Sequence, residues 1–166
     1  MLFLVFSDSH GNAALMRRVI ASHKDIRHIL FLGDGIREFS ALAEEFPEHH
    51  FRAVRGNMDG FSLAARGEEE DVFELYGMRV MMAHGHRYGV KGGTAAYEAH
   101  ARAHGARVAI YGHTHIPEAR YDSETGLYIF NPGSISRPQN GRPTYGLLDI
   151  LPNGSIVLSH GEATLA

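Results

Sequence analysis

Residues 2–11, LFLVFSDSHG, set an uninterrupted apolar run against a polar loop that holds Asp8 and His10 before a glycine. A short continuous apolar run bounded by turn residues reads as a buried strand. The pattern recurs along the chain. Apolar runs at 28–32, 51–54, 78–83 and 108–111 lead into Gly33-Asp34-Gly35, Gly56-Asn57, His84-Gly85-His86 and Gly112-His113-Thr114-His115. In open α/β sheets, ligands gather beyond the carboxyl ends of strands, so residues far apart in sequence can converge on one rim.

Between these runs the chain reads as helix. Asn12 can cap a helix whose Leu15, Met16, Val19 and Ile20 share one face. Residues 39–46 form a second candidate helix, ended by Pro47, and 94–104 a third, terminated by Gly105. Residues 72–76 and 78–83 flank Gly77 as a candidate hairpin, and further strands are expected at 119–121, 127–130, 146–150 and 156–158. Strand alternates with helix at first, and the last third is mostly strand. This predicts an α/β fold in which two mixed sheets pack together with helices outside. At 166 residues the chain is expected to be one domain, 1–166.

Composition narrows the function classes. With no cysteine there is no thiolate, so any metal must be held by nitrogen and oxygen. A net charge of −3 argues against a general grip on long nucleic acid, which needs a strongly basic face. The opening apolar run is too short for a signal peptide or a membrane span, so no membrane partner and a cytoplasmic location are expected.

The polar loops carry the chemistry. Asp8 and His10 are two apart, as are His113 and His115, and in extended chain side chains two apart share a side. Glycines beside Asp34 and Asn57 allow close backbone approach, and a carboxylate such as Asp34 can bridge two cations. Each loop alone is ordinary turn chemistry. Their joint occurrence at successive strand ends points to a metal site.

Asp8-Ser9-His10, Gly33-Asp34, Gly56-Asn57-Met58-Asp59, His84-Gly85 and Gly112-His113-Thr114-His115 together resemble the motif series of the calcineurin-like metallophosphoesterases. The short chain, His84-Gly85-His86 and Asn131-Pro132-Gly133-Ser134 resemble the small YfcE-like phosphodiesterase branch. The resemblance implies a four-layer αββα sandwich of two mixed β-sheets flanked by helices. It implies one divalent metal on Asp8, His10, Asp34 and His115, and another on Asp34, Asn57, His84 and His113. A hydroxide bridging the two metals would attack a small phosphodiester in line. Two divalent cations, two carboxylates and a hydroxide leave a net charge of about +1, suited to that anion. Manganese is the implied activator, with iron, zinc and nickel also suited to these ligands. Family habit further implies a homo-oligomer, a dimer or tetramer.

Catalysis is expected to depend on Asp34, Asn57 and His84, and His86 and Asn12 are candidate substrate contacts. Met58 departs from the superfamily, which usually places a His after this Asn; a thioether cannot donate a proton to a leaving group. The YfcE-like branch commonly shares that loss, so esters with good leaving groups are the expected substrates. Two other readings use the same residues. One is a phosphomonoesterase or nucleotide phosphatase; the other is a non-catalytic scaffold like the retromer subunit that resembles this fold. Asp59 is expected either to orient a ligand or merely to turn the chain. Arg87, Arg137, His49, His50, His100 and His104 are expected at the surface, and 68–71 as an exposed acidic loop.

Overall fold

The computed structural model describes residues 1–60 and 68–164. Its elements run β1 (Leu2–Phe6), α1 (Ala13–Ser22), β2 (His28–Phe31), α2 (Ile36–Glu45), β3 (His50–Ala53), β4 (Glu70–Leu75) and β5 (Met78–Ala83). A short 3-10 turn (His86–Tyr88) precedes α3 (Ala95–Ala103), β6 (Ala106–Tyr111), β7 (Pro117–Asp122), β8 (Leu127–Pro132), β9 (Thr144–Ile150) and β10 (Ile156–Glu162).

These strands form two five-stranded sheets, ordered β10-β9-β1-β2-β3 and β4-β5-β6-β8-β7. The centres of both sheets are parallel: β1 with β2, β2 with β3, β5 with β6 and β6 with β8. Their outer strands run antiparallel, so both sheets are mixed. The β4–β5 hairpin turns at Tyr76 and Gly77, both with positive φ, the primed-turn geometry that matches strand twist.

Three apolar clusters define the layers. Phe3, Val5, Leu30, Leu32 and Val54 of the first sheet pack on Val80, Met82, Val108, Ile110 and Phe130 of the second. Leu4, Phe6, Ile29 and Phe31 meet Leu15, Met16, Val19 and Ile20 of α1 and Phe39 and Leu42 of α2. Met81, Ala83, Ala109 and Ile129 meet Tyr97 and Ala101 of α3. The result is the four-layer αββα sandwich. The central strands are apolar on both faces because one face fills the middle layer and the other lies under helix. Tyr97, fully buried, donates its hydroxyl to Ile110 O at 2.6 Å and Met81 O at 3.2 Å, tying α3 to β5 and β6.

Several expectations need correction. Helix α2 begins at Ile36, three residues before the apolar pattern suggests, because its cap comes from a distant loop described below. The acidic stretch is not a free loop. Glu70 and Asp71 belong to β4; Glu70 accepts from the Tyr88 hydroxyl and lies 3.0 Å from His100 Nε2. Glu69 pairs with Arg55 at 3.0 Å and Arg87 at 2.5 Å. His49 is buried against Phe46 and Phe51, with neither ring nitrogen hydrogen-bonded. Its neighbours in sequence are polar, but the chain turns inward there to close the α2–β3 connection. His50 is exposed and stacks on His28 at 4.9 Å.

Candidate metal centre

The loops that follow β1, β2, β3, β5 and β6 share one rim of the sandwich. Parallel strands aligned in register bring their ends together, and the short glycine-bearing loops leave no room to diverge. Gly56 is required by space: a Cβ there would sit 2.1 Å from Asp34 Oδ1. At Gly112 a Cβ would lie 2.0 Å from Ser7 Oγ and 3.0 Å from Asp8 Oδ2.

Two groups of donor atoms result, Asp8 with His10 and His115, and Asp34 with His84 and His113, the atoms within each lying within 4.8 Å of one another. His115 Nε2 is 3.1 Å from Asp8 Oδ1 and 3.2 Å from His10 Nε2. His84 Nε2 is 3.2 Å from both His113 Nδ1 and Asn57 Oδ1, and 3.5 Å from Asp34 Oδ2. The groups abut, with His84 Nε2 at 4.0 Å from Asp8 Oδ1. All seven expected ligands therefore lie in one cluster.

The spacing argument, however, fails in its premise. Asp8 (φ 55°), His10 (φ 44°), His113 (φ 67°) and His115 (φ 60°) are left-handed rather than extended, as is Asp34 (φ 58°). Tight turns, not strand alternation, aim each pair inward.

Supporting bonds orient the donors. His84 Nδ1 sits 2.6 Å from Leu32 O and His115 Nδ1 2.6 Å from Arg137 O, so each Nδ1 carries the proton. In the neutral rings both Nε2 lone pairs then face the cluster. Asp8 Oδ2 accepts from Ser7 Oγ and from His113 N at 3.0 Å. Asp8 Oδ1 is buried with no hydrogen bond. A buried carboxylate oxygen without a donor is costly, and lone pairs of imidazole gathered around it compound that cost. A cation shared by these atoms removes both penalties, so the donor set fits a metal.

Protonation follows the same crowding. Burial, with help from His84, pushes His113 down to about 4, leaving it neutral at ordinary pH. Burial also lowers His10 and His86, in each case against the pull of nearby carboxylates. For His84, burial opposes charge, but Asp34 and Asp8 outweigh it and raise the ring. His115 is raised chiefly by Asp8. Burial opposes the charge of Asp34, yet His84 and the Met58 N–H, 2.8 Å from Oδ1, bring its carboxyl below the usual range.

The pieces that sequence left open now have places. Asp59 accepts four backbone N–H bonds: Oδ2 from Asp34 (2.8 Å) and Gly56 (2.7 Å), Oδ1 from Gly35 (2.7 Å) and Ile36 (2.9 Å). It fixes the loops that carry Asp34 and Asn57 and caps α2, whose own N-cap is a glycine. Asn12 caps α1 through Ala14 N at 3.1 Å. His86 lies beside the cluster, its ring 5.3 Å from His84 and 6.1 Å from His113. Arg137 lines a hollow with His10, Asp34 and Met58, a residue 69% exposed. Ser134 and Ser136 were missed as support: their hydroxyls donate to Asp8 O at 2.8 and 3.2 Å. The Asn131 amide donates to Gly112 O at 3.1 Å, bringing the 131–134 turn beneath the site. Ser134 is legible as a turn residue, but nothing in its neighbours reveals which loop it braces.

Residues 1–153 match the sequence profile of the calcineurin-like phosphoesterase superfamily domain. The chain belongs to that superfamily. Membership makes it a hydrolase of phosphoesters. Among relatives of this calcineurin-like chain, phosphodiesterase YfcE of Escherichia coli is 30% identical over 174 residues, covering 90% of this chain and 88% of YfcE. The crystal structure of a Streptococcus pneumoniae protein described as a predicted phosphoesterase superposes with a TM-score of 0.75 at 25% identity, covering 97% of each chain. Vps29 of Entamoeba histolytica, solved with zinc, shares the fold with a TM-score of 0.74 at 23% identity, covering 98% of this chain and 99% of Vps29. Among the described residues no helix is long and apolar enough to cross a membrane.

Proposed function

We propose that this chain is a phosphodiesterase working with two divalent cations, and manganese is the first to assay. The observation that carries the reading is the buried, unbonded Asp8 Oδ1 surrounded by inward-facing imidazole nitrogens. Asp8, His10, Asp34 and His115 would hold one cation; Asp34, Asn57, His84 and His113 would hold the other. Such a pair supplies Lewis acidity and a nucleophilic hydroxide near neutral pH.

The chain's own residues do the positioning. The Leu32 and Arg137 carbonyls lock the His84 and His115 rings, so the donors need little rearrangement when loaded. His113, neutral down to about pH 4, keeps its Nδ1 lone pair available across the working range. Asp59 holds Asp34 from behind through the backbone. Met58 offers no proton to a departing alkoxide, so a diester whose leaving group is already a weak base is favoured. Aryl diesters should therefore turn over faster than alkyl ones.

The test is metal analysis of the purified chain together with diesterase activity before and after chelation. Two metals per chain and activity lost and restored with the metal are expected. Asp34→Asn and His84→Ala should each cut activity at least about a hundredfold with circular dichroism unchanged, since even supporting residues of metal sites cost ten- to a hundredfold. A chain that holds two metals and hydrolyses no ester would favour the scaffold reading suggested by the Vps29-like fold. Faster turnover of monoesters than diesters would favour the phosphomonoesterase.

A further inference from the structure

A groove of about 700 Å³ opens beside the candidate centre, bounded by Val90, Lys91, Gly92 and Gly93 on one side and Thr114, Ile116 and Pro117 on the other. It adjoins the loop that carries two of the donors. Thr114 lies between His113 and His115, and Gln139, on the groove's rim, donates its backbone N–H to His115 O at 3.1 Å. The lining is divided by chemistry. Ile116, 43% exposed, and Pro117 give the apolar surface, backed by the buried Val90 and Tyr111. The single carboxylate of the lining, Glu118, is already committed: it accepts from the Tyr111 hydroxyl and from Arg120 at 3.1 Å. Lys91 makes no ion pair among the described residues. Its charge bears on both His113 and His115.

We propose that this groove receives an aromatic ester arm of the phosphodiester, with the ring laid against Ile116 and Pro117 and the anionic phosphate between Lys91 and the metal donors. The proposal rests on the phosphodiesterase reading and adds the substrate class to it. An apolar floor beside one uncompensated cation suits a molecule with a flat apolar part joined to a single negative charge. A dialkyl phosphate would satisfy only the cation. A second groove, beside Asn57 and His86, offers a contrast: its arginines Arg55 and Arg87 are both bound to Glu69, and among the described residues it has no aliphatic side chain in its lining.

The probe is diphenyl phosphate, a slow substrate because phenoxide is a poor leaving group, compared with dimethyl phosphate. Both are titrated into the manganese-free, zinc-loaded full chain carrying labelled Ile methyl groups and backbone amides, with shifts followed by NMR. Diphenyl phosphate should move the Ile116 methyls and bind about tenfold more tightly than dimethyl phosphate, the gain expected from covering one face of a phenyl ring. Ile116→Asp, at an exposed position that leaves the core intact, should erase that difference. Lys91→Ala should weaken both ligands, and Lys91→Arg should restore them. Equal affinities for the two esters, or shifts confined to residues around Asn57 and Arg87, would overturn the proposal. The readout is binding, so the two failures separate. A chain that hydrolyses nothing but shows the methyl shifts keeps the groove and loses the phosphodiesterase; a chain whose diesterase activity is indifferent to Ile116→Asp and which shows no shifts does the reverse.

Discussion

Asp59→Asn is a nearly isosteric change that tests how the site is held. In the native chain each Asp59 oxygen accepts two backbone N–H groups: Asp34 and Gly56 on Oδ2, Gly35 and Ile36 on Oδ1. Asparagine has one acceptor oxygen, so whichever way its amide is turned, an NH2 group faces two N–H donors. Two donors then lose their partner, and the remaining two lose the charge that strengthens their bonds. An unsatisfied buried donor costs about 1–3 kcal/mol, so the expected loss is about 2–4 kcal/mol, taking the lower part of the range because the cluster is only partly buried. Urea unfolding of the metal-free chain measures that loss directly. Calorimetric titration with manganese measures the second consequence, because slackening the Asp34 and Asn57 loops should weaken metal binding about ten- to a hundredfold. Asp59→Ala, which strips all four bonds, should cost more on both counts. An Asp59→Asn chain within about 0.5 kcal/mol of the wild type and with unchanged manganese affinity would refute the idea that this carboxylate builds the site.

Other perturbations read different parts of the molecule. Gly56→Ala places a methyl 2.1 Å from Asp34 Oδ1, so it should abolish metal binding by calorimetry, whereas Gly154→Ala, with nothing within 4 Å of its added Cβ, should leave metal binding intact. Tyr97→Phe removes the hydroxyl shared by Ile110 O and Met81 O; about 1–2 kcal/mol should vanish from urea stability while diesterase activity is retained. Burial lowers His49 below its ordinary value, with Glu48 opposing. The unfolded chain therefore takes up a proton that the folded one refuses, and stability should fall as pH drops below about 6.5. His49→Leu should flatten that slope in denaturant titrations at pH 5–7, and an unaltered slope would contradict the burial argument.

The rim was readable because its signal is local. An apolar run such as 108–111 followed by Gly112-His113-Thr114-His115 announces both a strand and its polar end, and the parallel sheet does the rest. What stayed hidden is what depends on partners distant in sequence. The start of α2 is set by Asp59, which lies 23 residues beyond Ile36, so no local cap marks it. The burial of His49 arises from Phe46 and Phe51 closing around it, and polar neighbours in sequence mislead. Glu70 reads as solvated charge until Tyr88 and His100 come to it from two other elements. Backbone handedness was the least legible property. Asp and His tolerate the left-handed region better than most residues but do not demand it, so an extended reading of Asp8-Ser9-His10 was the natural error.

That handedness also bears on what the site is for. Six residues other than glycine have positive φ among those described; Tyr76 serves a hairpin, and the remaining five are Asp8, His10, Asp34, His113 and His115. Held in that region, each costs about 1 kcal/mol, so the rim carries roughly 5 kcal/mol of backbone strain, a sizeable share of a typical domain's 5–15 kcal/mol. Burying Asp8 Oδ1 without a donor adds to it. A surface whose task was only to bind another protein would gain nothing from strain concentrated at these five positions. Shared coordination of cations does gain, because strained turns aim nitrogen and oxygen lone pairs at common points and fix them there before a metal arrives. The prediction is a metal-free chain of modest stability whose midpoint rises steeply on adding manganese, and whose rise disappears when Asp34 or His84 is replaced.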